Sequence, residues 1–148
     1  MTSNAKHHDE AIEVYLQPLR DFVAQNHDQS MSRARLDIGS IDIYVRMTRR
    51  VLGTQWGRTL DLADITIPVN LRGRKLFSQI LWEFERLAIQ YDRSVYVESI
   101  ASPIIRDALV RRGYTFRDGE IGSAWKTPQS LQADQTLQAV HCPTSIQN

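Results

Sequence analysis

Residues 60 to 100 run through an apolar strand pattern, a basic turn, a long amphipathic stretch and a second strand pattern. Leu60, Leu62, Ile65 and Ile67 predict the first strand, and Pro68 must end it or lie at an edge, because proline has no amide to give to a ladder. Leu76, Ile80, Phe84, Leu87, Ala88 and Tyr91 then recur at helical spacing, while Gln79, Glu83, Glu85 and Arg86 lie largely off that stripe. This predicts a helix over 76–91 with one buried face. Asp92-Arg93 breaks the pattern, and Val95, Tyr96 and Val97 predict a strand over 94–100. Two strands joined through a crossover helix pair in parallel, so the fold is built around a βαβ unit.

The flanking segments make the sheet mixed. Residues 1–8 are polar and are expected to be flexible. From Asp9 onward, Ile12, Tyr15, Leu16, Leu19, Phe22 and Val23 fall at helical spacing, and Pro18 inside that run predicts a kink or two short helices ending near Asn26. Residues 27–35 read as a polar loop. Ile41, Ile43 and Val45 alternate with Asp42, Tyr44 and Arg46 as a half-buried strand. The glycine-bounded stretch 53–57 predicts a long loop that returns the chain antiparallel. Ser102-Pro103 is a helix start with an N-cap serine, Ile104, Ile105, Ala108 and Leu109 form its buried face, and Gly113 is its stop. Two short strands, 114–116 and 123–126, follow across Asp118-Gly119. From Thr127 the periodicity fades into Gln, Ser and Thr. The expectation is one α/β domain with a mixed sheet over 9–127, and a mobile tail over 128–148.

Composition narrows the function. The chain has 148 residues and a formal net charge of +1, so any anion site must be local. Its one cysteine, Cys142, excludes an intrachain disulfide and a cysteine-based zinc site, and the four histidines lack ligand spacing, so no metal is expected. No stretch approaches the roughly 20 apolar residues of a membrane span, and the first ten residues lack a secretory pattern, which makes the cytoplasm the expected location. Arg46, Arg49 and Arg50 read as a solvated strand face or as a lure for an acidic partner.

The turn Arg72-Gly73-Arg74-Lys75 carries the chemistry. A helix N-terminus presents unpaired amides and the positive end of the dipole, and three cations with a glycine at that point suit a phosphate. The alternative is a solvated basic loop. The run from Asp64 to Phe77 resembles the strand and pyrophosphate loop of GNAT N-acyltransferases, whose loop reads Gln or Arg, two free positions, Gly, one free position, then Gly or Ala. Val95 to Ser99 is similar to that family's next strand, Ser102 to Tyr114 to its following helix and closing Gly-aromatic pair, and Ala124-Trp125-Lys126 to its closing strand; the likeness spans roughly residues 36–127.

The resemblance implies a central mixed sheet with helices on both faces and acyl-CoA lying in a split between two parallel strands. Backbone amides of Arg72, Gly73, Arg74, Lys75, Leu76 and Phe77 would then hold the pyrophosphate of acetyl-CoA, with Ser78 as a side-chain donor and backbone groups of Ile67 and Val69 pairing with the pantetheine arm. Lys75 and Phe77 stand where the family favours small residues, and Leu109 stands where many members carry a general-acid tyrosine.

Acyl transfer needs a base, a donor to the thioester carbonyl, and proximity. Glu98 is the candidate base, against a reading in which it faces solvent or pairs with Arg106 or Arg111. Ser99 and Ser102 are candidate relays or donors, Ser102 being equally an N-cap. Tyr96 and Tyr114 can serve as acids or as packing, and Trp56 can line an acceptor site or cover a core edge. The expected function is transfer of an acetyl group from acetyl-CoA to a primary amine on an unidentified acceptor, by direct attack. The alternative is a GNAT-like scaffold without catalysis that binds a protein or nucleic acid. An edge strand at 123–126 could join two copies as a dimer.

Overall fold

A computed structural model describes residues 13–73, 75–117 and 122–141, and Arg74 and the Asp118-Gly119 turn lie outside them. Their strands form one sheet in the spatial order Ser32–Ile38, Ile41–Leu52, Gln55–Thr66, Ser94–Val97, Ala124–Lys126, Thr115–Phe116. A helical turn at 13–15 gives way at Leu16 to helix α1 (Gln17–Asn26), with Pro18 in its first turn, where its missing amide costs nothing. Strand β1 (Ser32–Ile38) occupies part of the stretch expected to be loop. Gly39 (φ 57°) and Ser40 (φ 74°) turn the chain in two residues into β2 (Ile41–Leu52), and Asp37 Oδ1 accepts the Ser40 amide at 2.8 Å. Both turn residues adopt the left-handed backbone that a tight hairpin of this hand requires.

Strand β3 (Gln55–Thr66) pairs antiparallel with β2 from Leu52↔Gln55 onward, so Gly53-Thr54 is the whole connection. The expected long loop is therefore a tight turn, and Trp56 and Gly57 belong to the strand. The register shifts at Tyr44/Val45, which face Asp64 and Leu62, leaving Ala63 as an extra residue on β3. A 3-10 turn, Val69–Leu71, follows Pro68 and leads to α2 (Leu76–Gln90), then β4 (Ser94–Val97), α3 (Pro103–Arg111), β5 (Thr115–Phe116) and β6 (Ala124–Lys126). Strands β3 and β4 are parallel, as the βαβ order requires, and β6 runs antiparallel to both β4 and β5.

One sheet face is apolar. Ile43, Val45 and Met47 of β2, Leu60 and Leu62 of β3, and Val95 and Val97 of β4 are all buried under Leu19 and Val23 of α1 and Ile80, Leu81 and Phe84 of α2. Each fully buried side chain of this kind contributes roughly 1.5–3 kcal/mol, which is what fixes α2 across the sheet. The segment expected as a tail begins instead with α4 (Pro128–His141). Thr127 Oγ1 accepts the Ser130 amide at 3.2 Å, Lys126 pairs with Asp134, and Leu131 is buried. The helix shows no apolar stripe in sequence because a cap, an ion pair and one leucine hold its first turns.

Candidate active site

The parallel pairing of β3 and β4 ends at Leu62↔Val97, with one further bond from the Glu98 amide to the Leu62 carbonyl at 3.0 Å. Beyond that point the strands part. β3 continues beside β2 through Ile65 and Thr66, while the chain after Glu98 turns at Ser99 (φ 59°), and the Ile100 amide reaches the Gly122 carbonyl at 3.3 Å. The extra residue Ala63 lies at this fork. A bulge bends its strand and strengthens local twist, which drives β3 away from β4. A positive φ at a serine is uncommon and points to a backbone set by its surroundings. Because α2 is the crossover between these strands, its N-terminus lies at the same end of the sheet as the fork.

Lys75 is the N-cap of α2 in a left-handed conformation (φ 60°), and no side chain caps the helix there. The Gln79 amide is bonded to the Lys75 carbonyl at 3.2 Å, so the amides of Leu76, Phe77 and Ser78 precede the helical ladder. A left-handed residue followed by helical ones turns successive amides toward a common point, a geometry that suits an anion. Gly73 also has positive φ (79°), and a side chain there would meet nothing within 4 Å. Phe77 is half-buried and packs against the core instead of covering the helix front. Ser78 and Lys75 line a cavity of about 840 Å³ with Arg20, Trp82 and Arg86 on the outer side of α2.

Two expectations about this loop change. Val69 is in the 3-10 turn, not in a strand; it is exposed, and its carbonyl accepts the Arg72 amide at 3.2 Å. Pro68 ends the strand early, so Val69 has no strand-like backbone to offer. The Ile67 carbonyl accepts Arg72 Nε at 3.0 Å, which folds that side chain back along its own loop.

Glu98 is held by arginines other than those expected. Its Oε1 pairs with Arg46 and, at 3.2 Å, with Arg50. The same two guanidiniums hold Asp61, which is fully buried: Arg46 Nε donates to its Oδ2 at 3.1 Å and Arg50 at 2.8 Å. Burial lowers the Arg50 pKa and the hydrogen bond and charge of Asp61 raise it; the balance is upward. Arg46, Asp61, Tyr96 and Trp125 are in register on adjacent strands and share the second sheet face. Arg50 stacks over the Tyr96 ring at 4.3 Å, and Arg117 donates to the Tyr96 hydroxyl at 3.3 Å. Arg46 and Arg50 are thus no solvated face. Their alternation with Met47 places them on the second sheet face beside Asp61, partly shielded, whereas Arg49 is exposed on the face that carries Met47.

The other candidates divide cleanly. Ser102 Oγ accepts the Ile104 and Ile105 amides at 3.2 and 3.4 Å, the work of an N-cap. Ser99 is exposed at the fork. The Tyr114 hydroxyl is buried and donates to Glu85 at 2.8 Å; burial first, then the Glu85 charge, pushes its pKa well up. Trp56 is exposed on the hairpin at the other end of the sheet. Sequence reading missed Asp61 and Ala63. The signal for Ala63 was present: apolar positions on β3 step from 60 to 62, then to 65, an odd interval that marks an inserted residue. No group of three His, Cys, Asp or Glu side chains could hold a metal among the described residues, and none of their helices is long and apolar enough to cross a membrane.

No protein-family model matches the sequence, and no curated protein matches it. Solved structures do match. The toxin–antitoxin complex KacTA with DNA is 14% identical over 86% of this chain and 85% of that one, with a TM-score of 0.54. A tyrosine-to-phenylalanine mutant of the AtaT toxin, bound to the C-terminus of the antitoxin AtaR and acetyl-CoA, is 11% identical over 86% and 85%, with a TM-score of 0.55. A mutant of the KacT toxin is 12% identical over 82% and 85%, with a TM-score of 0.53. Both toxins are GNAT-fold acetyltransferases, and the mixed α/β architecture of this chain, with its six-stranded sheet, matches theirs: this chain has the GNAT fold.

Proposed function

We propose that the protein is an acyl-CoA-dependent N-acyltransferase that moves an acetyl group from acetyl-CoA to a primary amine. The observation that carries the proposal is the fork between β3 and β4 opening beside the uncapped front of α2. The amides of Leu76, Phe77 and Ser78, with Gly73 and Lys75 in left-handed conformations, fit a diphosphate, and Arg72, Arg74 and Lys75 add charge. Beyond Leu62 the inner edge of β3 is free of β4, which suits an extended arm laid between the strands. The matched AtaT structure holds acetyl-CoA, which supports this cofactor.

In the reaction the amine nitrogen forms a bond to the thioester carbonyl carbon, the carbon–sulfur bond breaks, and CoA leaves as a thiolate. The amine gives its proton to a base and the thiolate takes one up. Glu98 stands at the fork as the acceptor of that proton, with its second oxygen available beyond the two arginines on Oε1. Ser99, exposed at the same turn, would donate to the carbonyl or relay a proton. Thioester consumption against a panel of amines tests the reading. Wild-type turnover on at least one amine is expected, and Glu98→Gln should lower kcat about 100-fold or more with KM for acetyl-CoA little changed. Equal kcat in the variant would remove Glu98 from the mechanism.

A second reading draws on the same ion pairs. With Oε1 of Glu98 and the buried Asp61 both tied to Arg46 and Arg50, this face could serve as a rigid scaffold for a protein or nucleic acid, the kinds of partner present in the matched complexes. Binding of a partner with no acetyl-CoA affinity would favour it.

A further inference from the structure

At the opposite end of the parallel strands from the fork lie three arginines, Arg49, Arg58 and Arg93, and among the described residues no carboxylate forms an ion pair with any of them. Arg49 and Arg58 face each other across β2 and β3. Like charges placed directly cross-strand repel, so the hairpin carries a local cost at that pair. Both are exposed, and the Arg49 guanidinium has no hydrogen bond or ion pair among the described residues. Arg58 donates to the His27 carbonyl at 2.8 Å, and the buried Arg93 donates to that same oxygen at 2.8 Å. Two guanidiniums therefore meet on one carbonyl.

The remaining Arg93 bonds also go to carbonyls, of Thr59 at 2.9 Å and Thr48, and its buried Nε has no partner. Burial, then the charge of Arg58, depress its pKa to about 10. The C-terminal carbonyl of α1 offsets part of this positive charge and leaves an excess.

Arg49 and Arg58 line a cavity of about 350 Å³ together with Trp56, Asp92, Thr127 and Gln129, while Arg93 lies buried behind Arg58. That volume lies at the small-molecule end of ligand pockets, roughly 300–1,000 Å³. Trp56, 68% exposed, sits two residues from Arg58 on the same strand face and offers its ring to a planar group. Thr127, Pro128 and Gln129 at the start of α4 form one wall, the Thr127 hydroxyl already accepting the Ser130 amide. Asp92 contributes one carboxylate, which repels a bare anion yet can accept hydrogen bonds from a ribose diol. Along β4, Ser94 at this cavity and Glu98 at the fork are four residues apart, roughly 13 Å. The two places are distinct.

We infer that this cavity binds the phosphate, ribose and base of a nucleotide, with Arg49 and Arg58 on the phosphate, Asp92 on the ribose and Trp56 stacked on the base. The nucleotide unit could come free or as part of a single-stranded nucleic acid. The inference does not depend on acyl transfer at the fork.

Equilibrium dialysis of the full chain against adenosine monophosphate, inorganic phosphate, adenosine and single-stranded oligoadenylate tests it. Adenosine monophosphate should bind saturably, and phosphate or adenosine alone should bind at least about tenfold more weakly, since each engages half the site. Arg49→Gln and Trp56→Leu, both at exposed positions, should each weaken binding by about tenfold, while Arg72→Ala at the fork should leave it unchanged. Oligoadenylate binding tighter than the mononucleotide identifies a polymer as the source; equal affinity per site identifies the free nucleotide. No saturable binding of any probe, or equal affinity in both variants and wild type, overturns the proposal, as does full displacement by acetyl-CoA that is lost in Arg72→Ala.

Discussion

Glu83 is almost fully buried on α2, where an unpaired carboxylate would be costly, and two arginines explain it. Arg20 reaches it from α1 at 2.9 Å and Arg86 from one turn along α2. Burial raises its pKa, but the hydrogen bonds from Arg20 and Arg86 outweigh that and hold it below the ordinary 4.5. A carboxyl whose folded pKa is depressed stabilises the fold above its unfolded pKa, and that contribution is lost as pH falls through the lower folded value. Glu83→Gln should therefore lower stability at neutral pH by about 2 kcal/mol and flatten the loss of stability below about pH 4.5. Denaturant titrations of both proteins at pH 7 and pH 3.5 check this; an unchanged difference at the two pH values would contradict it. Asp61 and Glu98 follow a different logic, because they share the same two guanidiniums. Replacing either one changes the charge felt by the other, so effects at the pair should not add.

At the level of elements, α3 separates capping from catalysis. Ser102→Ala removes the acceptor for two amides and should cost about 1 kcal/mol of stability, with kcat per folded molecule unchanged. A large fall in kcat at equal folded fraction would return Ser102 to the mechanism. The βαβ unit was legible in the sequence because its helix carries an uninterrupted stripe and its strands are bounded by Pro68 and Asp92-Arg93. Ser102-Pro103 and Gly113 (φ 79°) likewise marked α3 through local chemistry. Strand β1 was hidden by Arg33, Arg35 and Asp37, although Ala34, Leu36 and Ile38 alternate with them before a Gly-Ser turn. Helix α4 was hidden for the opposite reason, since one buried leucine makes no pattern. Of the site, the basic turn could be read, because local sequence sets a helix front. The clamp of Arg46 and Arg50 on Asp61 and Glu98 could not, since its partners lie 11 to 52 positions apart and meet only through strand register.

The whole molecule places two kinds of anion chemistry at the two ends of one pair of parallel strands. At one end β3 and β4 part beside the front of α2; at the other, Arg49 and Arg58 line a small cavity, and Arg58 shares the His27 carbonyl with the buried Arg93. A ligand held only by the folded chain stabilises it by mass action, about 2.7 kcal/mol at a hundredfold excess over Kd. The most direct test of the central reading is calorimetric titration of the full chain with acetyl-CoA, repeated with a Gly73→Val, Lys75→Ala double variant. We expect saturable binding at one site per wild-type chain and at least a tenfold loss of affinity in the variant, whose remodelled loop can no longer present its left-handed turn to a diphosphate. Absence of binding at millimolar acetyl-CoA, or equal affinity in the two proteins, would contradict it.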